Sequence, residues 1–158
     1  MRGIIWKRGA RLWPFLLVSF ALSSCGEERR LVPLVQLCLQ NESGLQAFST
    51  ELRQFSETEG MTFVDDGAAA ARDLSIIDPE QHAHDEAGPN IRLSLRGHRE
   101  LITASNLGLR GYQVAMGLSY APGSGNERST RLMRRLARRW QIIRVPDGMG
   151  AKPLENCN

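Results

Sequence analysis

Residues that carry most catalytic chemistry are scarce in this sequence. It has three cysteines, none in a C-x-x-C pair, and three histidines among its 158 residues. The glycines around Ser124 lack the G-K-[ST] of a phosphate-binding loop, and segment 117–121 lacks the second glycine of a nucleophile elbow. These absences leave little material for a catalytic triad or a thiol nucleophile. We therefore expect no enzyme activity, no catalytic residues and no cofactor.

The sequence also has no apolar run long enough to span a bilayer, which needs a helix of about 20 apolar residues. The longest run begins at Leu12 and covers about 11 residues, which fits the hydrophobic region of an export signal. It follows a segment with four Lys and Arg residues and precedes Ser23, Ser24 and Cys25. We predict that residues 1–24 are a cleaved signal peptide and not a transmembrane helix.

The end of this signal resembles the lipobox of bacterial lipoproteins, since Leu22-Ser23-Ser24 leads directly into Cys25. In that family the cysteine thiol is diacylated, the signal is cut just before it, and a third chain usually follows. The resemblance implies that Cys25 is the lipidated residue, and two or three acyl chains make a stable membrane anchor. Gly26 stands where the family's inner-membrane retention signal has Asp, which favours the outer membrane and a domain facing the periplasm.

Cleavage of the signal changes the charge of the protein. The formal net charge of +3 falls to −1 when the four basic residues of the signal are removed. The pI of about 9.1 therefore belongs to the precursor and gives no support to nucleic-acid binding. Residues 25–30 form a short charged spacer, and residues 31–158 are enough for one domain with its own core.

Two cysteines remain once Cys25 carries lipid, and they lie in an oxidising compartment where disulfides persist. We predict a structural disulfide between Cys38 and Cys157. Closing a loop of about 120 residues is worth about 4 to 5 kcal/mol in the chain-entropy treatment. A redox-active pair is the alternative, but the C-x-x-C spacing of such pairs is absent.

Apolar alternation and helical periodicity predict the elements of this domain. Strand patterns cover 31–39, 61–64, 91–96, 101–107, 112–120 and 141–145. Helical patterns run from a Ser43/Gln46 capping box to Gly60, over 68–74, and from Asn126 to near Trp140. The skeleton is β-α-β-β-α-β, so we expect an α+β fold of the ferredoxin-like kind, with both long helices on one face of an antiparallel sheet. First and last strands are neighbours in that arrangement.

Charge is strongly segregated along the chain. Residues 42–86 hold eleven acidic and two basic side chains, whereas residues 92–144 hold eleven basic and two acidic ones. Six arginines occupy the polar side of the last helix: Arg128, Arg131, Arg134, Arg135, Arg138 and Arg139. If the long helices lie side by side, Glu51 and Glu57 pair with some of them, each exposed pair being worth about 0 to 1 kcal/mol. Alternatively the arginines bind an anionic lipid, an anionic envelope polymer or an acidic protein.

A weak metal candidate lies in the polar segment 78–90. His82, His84 and Asp85 form an H-x-H-D cluster, and imidazole with carboxylate suits zinc. A site within one loop lacks the distant ligands that most metal sites use, unless the sheet brings His98 near. We expect a solvated loop and no metal.

These features favour a lipid-anchored envelope protein whose non-enzymatic domain binds or scaffolds another envelope component. One alternative is a periplasmic immunity or inhibitor lipoprotein that neutralises a toxin or hydrolase, since segregated charge speeds the encounter of two proteins. The other alternative is a small metal-dependent hydrolase.

Overall fold

The predicted strands form one sheet in a computed structural model that describes residues 30–77, 89–106, 109, 111–121, 126–155 and 157. Within these residues the strands are β1 Arg30–Cys38, β2 Thr62–Asp65, β3 Arg92–Arg96, β4 Glu100–Ser105, β5 Gln113–Tyr120 and β6 Ile143–Arg144. The helices are α1 Glu42–Glu59, α2 Gly67–Ile77 and α3 Glu127–Leu136. None of these helices has the length and apolar character needed to cross a membrane.

The sheet is antiparallel between all paired strands, in the order β2-β3-β4-β5-β1-β6. The α+β class is therefore confirmed, and so is the pairing of the first strand with the last. The ferredoxin-like order is not confirmed, because β3, β4 and β5 all lie between β1 and β2, where that arrangement has one strand. A short turn between β3 and β4, in which the Gly97 amide donates to the Glu100 carbonyl at 2.9 Å, makes these two successive strands neighbours. Strand β5 then pairs with β4 and lies next to β1.

Helix α1 begins and ends at residues that satisfy its terminal backbone groups. The side chain of Asn41 accepts a hydrogen bond from the Gly44 amide at 2.9 Å, so Asn41 is the N-cap. The predicted capping box of Ser43 and Gln46 is wrong, since Ser43 donates to Asn41 at 2.7 Å and lies inside the helix. Gly60 ends the helix in the left-handed conformation (φ 64°), as the sequence predicts.

Helix α3 begins after Asn126, as predicted, although the Asn126 side chain makes no capping hydrogen bond. Its backbone carbonyl instead accepts from the hydroxyls of Ser129 and Thr130, at 2.8 and 2.9 Å. The helix ends at Leu136, earlier than predicted, and residues 137–139 form turns. Trp140 keeps its place in the core because its amide donates to the Leu136 carbonyl at 3.0 Å.

Helices α1 and α3 share one hydrophobic core with the sheet. One core cluster contains side chains from both helices and from alternate positions of the strands: Phe48, Leu52, Phe55, Leu93, Leu95, Ile102, Ala104, Val114, Met116, Leu132 and Leu136. The Phe48 and Trp140 rings meet edge to face with centroids 5.7 Å apart and join the two helices. This packing brings the arginines of α3 beside the acidic residues of α1.

Candidate functional site

The arginines of α3 and of the turn after it divide into two groups. Arg128, Arg131 and Arg135, which we call the seam arginines, form ion pairs with α1 and β4. Arg134, Arg138 and Arg139, which we call the outer arginines, are exposed and form no ion pair within the part of the chain that the structure describes. The structure thus assigns different surroundings to two halves of one predicted site.

We call the contact of Arg128, Arg131 and Arg135 with Glu51, Glu59 and Glu100 the seam. Glu59 is at its centre, because two of the arginines contact it. Arg131 donates to both of its carboxylate oxygens, at 2.9 and 2.7 Å, and Arg128 lies 3.3 Å from it. Arg128 also lies 3.6 Å from the largely buried carboxylate of Glu100 on β4. One carboxylate at the end of α1 therefore holds the start of α3, and Arg128 extends the contact to the sheet.

The same contacts change the ionisation of the pair. The hydrogen bond from Arg131 lowers the pKa of Glu59, partial desolvation opposes this, and the charges of Arg131 and Arg128 lower it further. The hydrogen bond to Glu59 raises the pKa of Arg131. The pair is therefore fully charged at neutral pH.

Further along the seam, Arg135 pairs with Glu51 and also donates to Gln54 at 3.1 Å. The internal pairing predicted for Glu51 is present, but the one predicted for Glu57 is wrong, because Glu57 is exposed and Glu59 takes its place. At about 100° per residue Glu59 lies in the same arc of α1 as Phe55, whereas Glu57 lies opposite. The helical period therefore contained the signal for Glu59.

Arg139 is the outer arginine with a defined position. Its guanidinium carbon lies 5.1 Å from the centroid of the Trp140 ring, a cation–π contact. Trp140 is itself buried and held against Phe48. The guanidinium is therefore supported by a ring, and no acidic side chain within the described residues neutralises it.

Arg139 also lines a cleft of about 680 Å³ at the disulfide end of the sheet. Three segments that are distant in sequence form its walls. They are the junction of β1 with α1, the turn after α3, and the C-terminal tail, represented by Leu39, Gln40, Trp140, Gln141, Leu154 and Glu155. The lining is mostly polar, and a few apolar side chains lie among the polar groups.

The C-terminal tail is fixed to the sheet where it forms this cleft. Cys38 and Cys157 form the predicted disulfide, with Cα atoms 5.5 Å apart. The buried amides of Gln36 and Gln113 both donate to the Lys152 carbonyl at 2.6 Å. Gln113 also accepts from the Leu154 amide at 2.9 Å. The tail wall is therefore held by a covalent bond and three hydrogen bonds.

The cleft lies at the Cys38 end of β1, away from Arg30, the first residue of the strand. Cys38 pairs with Gln113 at one end of the strand, and Arg30 pairs with Tyr120 at the other. The two ends are about 25 Å apart at about 3.3 Å per residue. Residues 1–24, Cys25 and the spacer up to residue 29 lie outside the described residues.

A second cleft, of about 700 Å³, lies between α1 and the β2–β3 side of the sheet. Its charged lining is mostly acidic, with Glu42, Glu57 and Asp65. The one arginine in it, Arg53, lies over the Phe63 ring at 5.1 Å. The second cleft therefore carries a net negative charge, whereas the cleft at the disulfide end holds one cation, Arg139, and one anion, Glu155. The cation there is supported by a ring and open to solvent.

Three of the four weak metal candidates, His82, His84 and Asp85, lie outside the described residues. The fourth, His98, is exposed in the turn after β3. Among the residues described, no three His, Cys, Asp or Glu side chains are grouped as a metal site.

The chain matches no protein-family model, no curated protein and no solved structure. Its function is therefore argued from its own residues.

Proposed function

We propose that this chain is a lipid-anchored protein of the bacterial envelope, whose non-enzymatic domain binds another envelope component. The lipobox at Cys25 supports the anchor. The disulfide between Cys38 and Cys157 supports an oxidising compartment such as the periplasm, because disulfides are rare in the cytosol. The glycine after Cys25 favours the outer membrane.

The observation that carries the binding role is the difference between the two groups of arginines. The seam arginines are neutralised by Glu51, Glu59 and Glu100. The outer arginines are exposed and without a carboxylate partner within the described residues. Because planar guanidinium groups bind carboxylate and phosphate oxygens in pairs, an unneutralised arginine surface suits an anionic partner.

The anchor is tested by the intact mass and membrane fractionation of the wild type beside Cys25→Ala. We expect the wild type to have the mass of residues 25–158 plus acyl chains, less two hydrogens for the disulfide, and to sediment with membranes. The Cys25→Ala variant should lose both the acyl mass and the membrane association. A soluble, unacylated wild-type protein would contradict the anchor.

The binding role is tested by capture of cross-linked partners from solubilised envelopes. Arg134→Glu and Arg138→Glu should each reduce the recovered partner several-fold. Arg96→Glu is the matched control, since it makes the same charge change at an arginine whose side chain is 60% exposed and 3.8 Å from Asp66. Equal recovery from all variants would contradict the role of the outer arginines. A tight one-to-one complex with a secreted protein would favour the immunity or inhibitor alternative.

A further inference from the structure

The cleft at the disulfide end combines one cation, one anion, one aromatic ring, side-chain amides and a few apolar side chains. We infer that it binds an extended acidic peptide, whose carboxylate is received by Arg139 and whose neighbouring apolar side chain packs against the walls. The inference rests on the proposed function, because it names the chemistry of the partner that the domain binds.

The first step is the geometry of Arg139. The Trp140 ring lies 5.1 Å from the guanidinium carbon and supports one side of this group. A guanidinium held in this way keeps N–H donors for a carboxylate, which accepts two of them at once. Arg139 is exposed and makes no ion pair within the described residues, so a ligand carboxylate displaces no existing partner.

The second step is the composition of the walls. Ile143 and Leu154 are partly exposed and supply apolar surface in the cleft that Arg139 lines. The side-chain amides of Gln40 and Gln141 supply donors and acceptors, which suit the alternating N–H and C=O groups of an extended peptide. A cleft of about 680 Å³ has room for a short peptide segment.

The third step is the charge balance, which favours a peptide over a polyanion. Glu155 lines the cleft together with Arg139, so the cleft contains one cation and one anion. A phosphate polymer or an anionic lipid surface gains its affinity from several cations. One carboxylate flanked by neutral residues fits a single arginine.

The test begins with a positional-scanning pentapeptide array, probed with full-length protein in detergent micelles. We expect enrichment of Asp or Glu at one position and of an apolar residue next to it. The best acidic peptide is then titrated against the same peptide with Gln or Asn at that position. Trp140 is the only tryptophan after residue 24, so its fluorescence reports on the cleft of the processed protein.

The decisive variant is Arg139→Gln, with Arg96→Gln as the matched control. A hydrogen bond between charged groups is worth about 1.5 to 3 kcal/mol, so Arg139→Gln should weaken binding of the acidic peptide about tenfold or more. The affinity for the amide peptide should stay nearly unchanged, and Arg96→Gln should change neither affinity. Thermal unfolding and the mass of the intact disulfide establish that each variant is folded.

Two results would overturn the inference. One is an array without enrichment of acidic residues, and the other is acidic enrichment that persists in Arg139→Gln. Binding to phosphatidylglycerol vesicles or to inorganic phosphate, in place of peptide, with the same dependence on Arg139 would show that the ligand is a phosphate. If the array fails while envelope capture still depends on Arg134 and Arg138, the proposed function stands and the peptide chemistry alone is wrong. If both fail, both proposals fall.

Discussion

The two groups of arginines lie within one segment of twelve residues, yet only the seam arginines have carboxylate partners among the residues described. The seam arginines meet carboxylates on α1 and β4, and Glu59 alone receives two of them. The outer arginines have no carboxylate in reach among the residues described and are open to solvent. Arginine content by itself is therefore a poor guide to a binding surface. Whether an arginine is available to a partner depends on whether the fold places a carboxylate beside it.

This comparison also explains why arginine is useful in both groups. Between α1 and α3 its planar guanidinium binds both carboxylate oxygens of Glu59 and so links the end of α1 to α3. On the outer side Arg139 lies over the ring of Trp140, which the core already holds in place. Arginine thus stabilises the fold where a carboxylate neutralises it, in the seam, and remains available for recognition where none does, on the outer side.

The largest expected effect comes from removing the disulfide beside the outer arginines. The double variant Cys38→Ser/Cys157→Ser should lower the free energy of unfolding by about 4 kcal/mol, because the bond closes a loop of 119 residues. It should also loosen the tail wall of the cleft and change the fluorescence of Trp140. Chemical denaturation and fluorescence of the processed protein measure the two effects.

The seam should respond differently to that variant, since none of its contacts involves the tail. The pKa of Glu59, followed by NMR, should stay low in the double variant while the protein is folded. A return of this pKa to its ordinary value would show that the seam depends on the disulfide and that the two regions are not separate.

The next effect in size comes from breaking the seam at its centre. Glu59→Gln removes the acceptor of charged hydrogen bonds from Arg131 and the charge that faces Arg128, and should cost about 1 to 2 kcal/mol of unfolding free energy, given the partial exposure of both arginines. Glu57→Gln is the matched control, since it makes the same change in the same last turn of α1 and should stay within about 0.5 kcal/mol. Equal losses would indicate a helix effect instead of an ion pair.

The pH dependence of stability gives a smaller test of the same seam. The folded pKa of Glu59 lies below its ordinary value of 4.5, so its contribution is fully present above that value. The contribution is lost as the pH falls through the lower, folded value. Below about pH 5 the wild type should therefore lose stability faster than Glu59→Gln. Denaturant unfolding at a series of pH values measures this, and parallel curves would contradict the paired geometry.

The sequence predicted the strands and the disulfide because those depend on local pattern and on a count of two cysteines. Alternation placed β3, β4 and β5 within a few residues of their observed bounds. Strand order was harder, since the same alternation is compatible with one intervening strand or with three. The pairing of Arg92 with Ser105 and of Ser105 with Ala115 shows that β3, β4 and β5 are successive neighbours in the sheet.

The candidate site was predicted as a set of residue types but not as a geometry. Residues that face one another from different elements, such as Glu100 and Arg128, are far apart in sequence, so no spacing relates them. The cleft is the extreme case, because Gln40, Arg139 and Glu155 come from three distant segments. Glu59 is different, since the period of α1 already placed it on the buried side.

The smallest expected change in the free energy of unfolding comes from replacing outer arginines. Arg134→Ala and Arg138→Ala remove side chains with no ion pair among the described residues, so each should change the free energy of unfolding by less than about 0.5 kcal/mol. Arg131→Ala, by contrast, removes the two shortest hydrogen bonds to Glu59 and should lower the free energy of unfolding by more than either outer variant does. Denaturant unfolding of the three variants at one ionic strength makes the comparison. If Arg138→Ala were as destabilising as Arg131→Ala, the outer arginines would be part of the fold, and their exposure would no longer argue for a partner.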